Sequence, residues 1–176
     1  MSRYLTIAAR RPALIAAVAA HAALGAAFVA SWGGTTRLPG FPGATLYEQL
    51  LRIDALFLAV AAPWVAARLI GGERREDVDR LSLQYGRSAS AVHRARIGAA
   101  FAWTVTLQAA VLPAALEVQQ LSGTALATAA GGQAALLALC LVAVTLVAAA
   151  AARTDCPLTR WLGPAALLVV AVAGLS

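Results

Sequence analysis

The sequence contains no lysine, and all 14 of its positively charged side chains are arginines. A P-loop lysine for nucleotide phosphates and a Schiff-base lysine are therefore both excluded within this sequence. Charged residues make up 12% and aromatic residues 6% of the 176 residues, whereas 61% are apolar. A soluble domain usually has about a quarter charged residues. This composition excludes a water-soluble globule and predicts an integral membrane protein.

Residues for catalysis and metal binding are equally scarce. Two cysteines are too few for a disulfide scaffold, and the two histidines, His21 and His93, lie in different halves of the sequence. The sequence has no HExxH, CxxC or Gly-x-Ser-x-Gly pattern. The arginines alternate with long uncharged stretches, which does not predict a nucleic-acid surface. We therefore predict that this chain is not an enzyme, carries no cofactor or metal, and does not bind nucleic acid.

The apolar residues are grouped into long runs. A transmembrane helix needs about 20 mainly apolar residues, and backbone groups in lipid are satisfied within a helix. The fold predicted for residues 1–176 is one all-α transmembrane domain, a polytopic helix bundle with about five spans. Glycine and proline residues separate the runs, among them Gly131-Gly132 before the fourth. The predicted spans are 13–31, 50–70, 97–116, 134–152 and 161–176.

The arginines predict an orientation in the membrane. Twelve of the 14 lie before the first span, in or beside the segment 71–96, or between the fourth and fifth spans. Because cytoplasmic loops carry an excess of positive residues, these three regions are predicted to be cytoplasmic. The N-terminus is then inside, and five spans place the last residue outside.

The segment 71–96, between the second and third predicted spans, has the spacing of a helix. Glu76 precedes Arg80 by four residues, the favourable order for a helical ion pair. Gly86 is suited to end that helix, and Ser88 to cap the next one. One face of the predicted amphipathic helix carries Val78, Leu81 and Tyr85.

Two environments fit such a helix. Its arginines could face anionic headgroups, as in helices that lie on a lipid surface. However, four acidic residues fall within residues 73–79, and an anionic surface would repel them. The mixture of charges instead favours docking to another protein with a complementary patch.

The same segment carries a resemblance to a known family. Gly72-Glu73-Arg74 follows the second span, Leu81-Ser82-Leu83 forms a leucine-rich stretch, and Gly98-Ala99-Ala100 begins the third span. This order resembles permease subunits of type-2 ABC exporters, in which a Gly-Glu-Arg exit precedes a leucine-rich coupling helix. The chain departs from that pattern where Asp77-Val78-Asp79 replaces a Gly-Thr-Leu stretch. It also has fewer spans than the six usual in the family.

The resemblance implies a function and a set of partners. The chain would be a membrane permease subunit, paired with a second permease copy or homologue and with ABC ATPase subunits that bind ATP and Mg²⁺. It would lie in a bacterial inner membrane in contact with lipid. The alternative is a non-catalytic scaffold subunit of a multi-subunit membrane complex. The residues implied to couple the chain to the ATPase are Glu73, Arg74, Asp77, Leu81 and Tyr85.

Four of the polar side chains within the predicted spans are candidates for polar contacts inside the membrane. His21 lies in the middle of the first span, and its most common role there would be a hydrogen bond to a neighbouring helix rather than a proton relay. Arg52 and Asp54 lie near the outer end of the second span, where Glu48 can pair with Arg52. We expect Asp54 to be a helix-start charge beside water, the alternative being a gate or substrate contact. Gln108 in the third span is expected to hydrogen-bond between helices.

Overall fold

The computed structural model describes residues 12–32, 43–71, 84, 86 and 88–153. Four helices make up nearly all of this part of the chain, and each is long and apolar enough to cross a membrane. The predicted all-helical character is therefore confirmed for the described residues, and their helices have the length and composition that membrane spans require. The predicted span 161–176 and nearly all of the segment 72–87 lie outside them. The four helices are α1 (Pro12–Trp32), α2 (Gly43–Gly71), α3 (Ala89–Ser122) and α4 (Leu126–Arg153).

Helix α1 matches its predicted span to within one residue at each end, whereas α2, α3 and α4 begin seven or eight residues before the predicted spans at 50, 97 and 134. For α3 this agrees with the predicted helix that Ser88 caps and that continues into the third span. At 34 residues, α3 is about 50 Å long and exceeds the hydrocarbon thickness of a bilayer. The predicted break at Gly131-Gly132 is wrong, since both glycines lie inside α4. A Cβ on Gly132 would come within 2.7 Å of Leu51 Cδ1, so this glycine allows close packing against α2.

The ends of α3 are set by two local signals. Ser88 is the N-cap, as predicted, and its hydroxyl accepts a hydrogen bond from the backbone N–H of Ala91 at 3.3 Å. Gly123 is the C-cap, with a φ of 68° that a side chain would disfavour. Only residues 123–125 separate α3 from α4. We call this end of the bundle the turn end and the opposite one, where α2 ends and α3 begins, the charged-segment end.

Helix α3 organises the packing. It contacts α1, α2 and α4, and α2 also packs along α4. Most of the buried residues form three successive layers between the helices. Leu46, Val111 and Ala129 lie in the layer at the turn end, whereas Ile70 and Val147 lie in the layer at the charged-segment end. Between them, a middle layer includes Leu14, Leu58, Leu107 and Cys140.

Helices α1 and α3 approach each other closely at Gly25. This glycine is buried, and a Cβ placed on it would lie 3.0 Å from both Ala114 Cβ and Val111 Cγ2. Neither contact is with the far end of a long side chain, so the helices would have to separate to admit a larger residue. Small residues at such crossings allow close packing in membranes.

We expect Gly25→Val to destabilise the bundle by about 1–3 kcal/mol relative to Gly131→Val, the usual range for overpacking. Gly131 is the matched control because it is also a helical glycine, and a Cβ there meets no atom within 4 Å. The free energy of unfolding of both variants in the same mixed micelles provides the comparison. Equal stabilities would contradict a tight α1–α3 crossing.

Candidate functional site, a buried polar cluster

The centre of the candidate site is a pair formed by His21 of α1 and Asp54 of α2. His21 Nε2 lies 2.7 Å from Asp54 Oδ1. His21 is 0% and Asp54 1% exposed, although each lies about 14 to 16 Å along a membrane-spanning helix. An isolated charge at such a position is strongly unfavourable. Pairing within the bundle removes this difficulty for both residues at once.

The second nitrogen of His21 restricts how protons are distributed in the pair. Nδ1 lies 2.8 Å from the backbone carbonyl oxygen of Leu107 in α3. Because a carbonyl oxygen only accepts, Nδ1 must carry a hydrogen. A second proton then lies between Nε2 and Oδ1, giving either an imidazolium with a carboxylate or a neutral imidazole with a carboxylic acid. Both forms are neutral overall, which suits a buried site.

Gln108 of α3 and Gln133 of α4 extend the cluster. Gln108 Nε2 donates to Asp54 Oδ2 at 3.3 Å and also to Gln133 Oε1. Both carboxyl oxygens of Asp54 thus face a nitrogen of a neighbouring helix, Oδ1 that of His21 and Oδ2 that of Gln108. Two buried amide atoms, Gln108 Oε1 and Gln133 Nε2, have no hydrogen-bond partner among the described residues.

An aromatic ring holds the histidine in place. Phe57 stacks on His21 with ring centroids 4.4 Å apart and planes inclined by 8°. Thr104, although fully buried one turn before Gln108, donates to the carbonyl oxygen of Ala100 in its own helix at 2.9 Å and is not needed by the pair. The orientation of the imidazole therefore depends on Phe57, Asp54 and the Leu107 carbonyl.

A groove with a volume of about 150 Å³ reaches the cluster from the turn end. Its walls are mostly apolar side chains of α3 and α4, with Tyr47, Gln119 and Gln133 as its polar residues. The Tyr47 hydroxyl donates to the carbonyl oxygen of Ala129 at 2.9 Å, and Gln119 Nε2 donates to that of Thr124 at 2.7 Å. Gln133 thus belongs both to the groove and to the polar cluster.

The structure brings together three of the four polar residues singled out within the predicted spans. His21, Asp54 and Gln108 form one cluster, whereas Arg52 is exposed on α2. Glu48 is also exposed, and the expected Glu48–Arg52 ion pair does not form among the described residues. The implied coupling residues Glu73, Arg74, Asp77, Leu81 and Tyr85 lie outside the described residues.

The expectation that Asp54 lies beside water at a helix start is wrong. Helix α2 begins at Gly43 rather than at residue 50, so Asp54 is the twelfth residue of the helix. Sequence reasoning also found no acidic partner for His21, because Asp54 is 33 residues away. Gln133, Tyr47 and Phe57 were not singled out. Tyr47 and Asp54 are seven residues apart, a spacing that places them on one helix face and could have indicated the cluster.

Within the described residues, no group of three or more histidine, cysteine or acidic side chains is arranged to hold a metal ion. The cluster contains one acid, one imidazole and two amides. Such a set can hold and move a proton, or bind helices together. The geometry thus offers hydrogen-bond and proton chemistry at the centre of the bundle.

We expect His21→Leu and Asp54→Leu each to destabilise the bundle by about 3–5 kcal/mol, because each leaves a buried polar partner without its counterpart. The double variant should be more stable than the sum of the two effects predicts by about 1–3 kcal/mol. Unfolding free energies in mixed micelles complete this double-mutant cycle.

The control cycle combines Asp54→Leu with Thr106→Val. Thr106 is exposed on α3, and its hydroxyl donates only to the Ala102 carbonyl oxygen of its own helix. We expect this second pair to be additive within about 0.5 kcal/mol. Additivity in the His21–Asp54 cycle as well would show that the pair contributes no coupling energy.

Comparisons with known proteins do not place the chain in a family. No family model, curated protein or solved structure matches it. The resemblance to exporter permeases therefore stands only on the residues quoted for it. For the described residues, the structure adds a bundle of four helices, each long and apolar enough to cross a membrane, with a polar cluster at its centre.

Proposed function

We propose that this chain is the membrane-spanning permease subunit of an ATP-driven ABC transporter. It pairs with a second permease copy or homologue, and separate ATPase subunits bind ATP and Mg²⁺. Residues 73–85 are the coupling element, which an ATPase subunit binds on the cytoplasmic side of the membrane. The chain itself hydrolyses no nucleotide and transmits movement to its helices.

The observation that carries this proposal is the difference between the two ends of the bundle. At the turn end, three residues join α3 to α4. At the charged-segment end, 17 residues (72–88) join α2 to α3, and eight of them are charged. A connection between adjacent antiparallel helices needs only a few residues. A segment of this length and charge serves better as a docking element than as a linker.

The helices on either side of that segment are suited to transmit force. Helices α2 and α3 pack along each other more extensively than any other pair among the described helices. Ser88, the last residue of the segment, caps α3, and Ile70 is buried near the end of α2. A pull on residues 73–85 therefore acts on two helices that are packed together, which favours rigid-body rocking of the bundle.

The alternative proposal is a non-catalytic scaffold subunit of a larger membrane complex. The same charged segment would then be a static docking surface for a partner protein. A bundle fastened by a central polar cluster also suits a scaffold, since such a subunit needs one fixed shape. The two proposals differ in whether a bound partner hydrolyses ATP in response to this segment.

We expect an ATPase subunit to co-purify with the affinity-tagged chain when it is isolated from its own host's membranes in mild detergent. The purified assembly should therefore hydrolyse ATP. Glu73→Ala should lower that activity by about tenfold or more while the assembly stays intact. This is the effect of losing a hydrogen bond to a charged group, about 1.5–3 kcal/mol. ATP hydrolysis per assembled complex is the measurement, and size-exclusion chromatography reports assembly.

Glu117→Ala is the matched control, because Glu117 is an exposed acid on α3 towards the turn end. The assembly that contains Glu117→Ala should hydrolyse ATP at the same rate as the wild-type assembly. An intact assembly without any nucleotide-hydrolysing subunit would favour the scaffold. An assembly whose ATP hydrolysis is insensitive to Glu73→Ala would contradict a coupling role for this residue.

A further inference from the structure

The outer face of α2 carries two opposite charges on its way to the turn end. Glu48 and Arg52 are four residues apart, and both are exposed. They do not pair with each other within the described part of the chain, although their order suits a helical ion pair. At the same spacing, Leu56 and Val60 follow, which are 56% and 50% exposed. One exposed face of α2 therefore passes from an acid through an arginine to an apolar surface.

The depth of these charges follows from the hydrogen bond between Asp54 and Gln108, which places α2 and α3 at a common level. From that level towards the turn end, Arg52 lies about 3 Å and Glu48 about 9 Å along α2. Leu116 is 53% exposed on α3 and lies about 12 Å from the same level. The two charges are therefore deeper in the bundle than an apolar side chain that α3 exposes.

An ionisable side chain at membrane depth normally faces the interior of a bundle or another polar partner. Arg52 instead is exposed and has no ion pair among the described residues. Because helical side chains tilt towards the N-terminus of their helix, its guanidinium group extends towards the turn end and the membrane surface there. A bilayer thins locally beside a short apolar surface. A lipid headgroup drawn inwards beside α2 would thus supply the partner.

We propose that Glu48 and Arg52 bind the headgroup of a phospholipid that carries a primary amine, such as phosphatidylethanolamine. The guanidinium group of Arg52 donates to the phosphate oxygens, a pairing that its planar fork favours. The carboxylate of Glu48 accepts a hydrogen bond from the ammonium group. The order along α2 matches the order within the lipid, with the amine outermost, the phosphate next, and the acyl chains against Leu56 and Val60.

The two charges also determine which headgroups fit. Glu48 cancels the charge of Arg52 and repels an anionic headgroup that has no amine. A choline headgroup carries the same charges as ethanolamine, but its quaternary nitrogen has no hydrogen to donate to Glu48. Arg52 is therefore the phosphate-binding residue and Glu48 the residue that selects the amine. This inference goes beyond the proposed transporter role and does not depend on it, because it concerns only this chain and its lipids.

The test is native mass spectrometry of the full-length chain in mild detergent, titrated separately with phosphatidylethanolamine and phosphatidylcholine of the same acyl chains. The wild type should bind the ethanolamine lipid about fivefold more tightly, the effect of one exposed charged contact. Glu48→Gln should abolish this preference by weakening ethanolamine binding alone. Arg52→Gln should weaken the binding of both lipids by about fivefold, since each carries the phosphate.

Glu117→Gln and Arg94→Gln are the matched controls, because both residues are exposed on α3 and neither has an opposite charge four residues away. Both controls should keep the preference of the wild type. Circular dichroism establishes that every variant is folded. Equal binding of the two lipids by the wild type, or loss of the preference in Glu117→Gln, would overturn the proposal. A dimer in the same spectra that Arg52→Gln dissociates, with lipid binding unchanged, would show a protein on this face and overturn it as well.

Discussion

The hydrogen-bonded contact between His21 and Asp54 constrains the rest of this bundle. An ionisable side chain in the hydrocarbon region needs a partner of matching chemistry, and here the partners come from different helices. The imidazole requires Asp54 of α2 on one side and the Leu107 carbonyl of α3 on the other. Gln108 then connects Asp54 to Gln133 of α4. One chemical requirement thus fixes the rotation and the depth of all four helices.

Stability alone does not account for this cluster. Well-packed apolar residues at the same positions avoid the desolvation of a buried pair, and such replacements are often neutral or stabilising. Hydrogen bonds between membrane helices contribute only modestly, about 0.6–2 kcal/mol each. The cluster is therefore better explained by the specific arrangement it imposes on the helices than by a gain in stability.

The all-helical fold class and the start of α3 could both be predicted from the sequence. Apolar runs predict spanning helices because lipid leaves the backbone no other partner, and Ser88 caps α3 because a hydroxyl there satisfies a free N–H. Helix ends were harder, since Gly131-Gly132 looks like a break but permits contact with Leu51. The pairing of His21 with Asp54 depends on which faces of α1 and α2 meet. The spacing of residues within α1 or within α2 does not show which of their faces meet.

The position of the cluster bears on how movement would pass through the bundle. Asp54 lies about 25 Å along α2 from Gly71, and Gln108 about 28 Å along α3 from Ala89, so both helices connect the charged-segment end to the same level. A rigid tilt of the bundle preserves every bond in the cluster. A slide of α2 against α3 instead breaks the 3.3 Å contact between Asp54 and Gln108 before the shorter bond to His21. The amide contact is therefore the point at which relative movement of α2 and α3 and the hydrogen-bond state of Asp54 are physically linked.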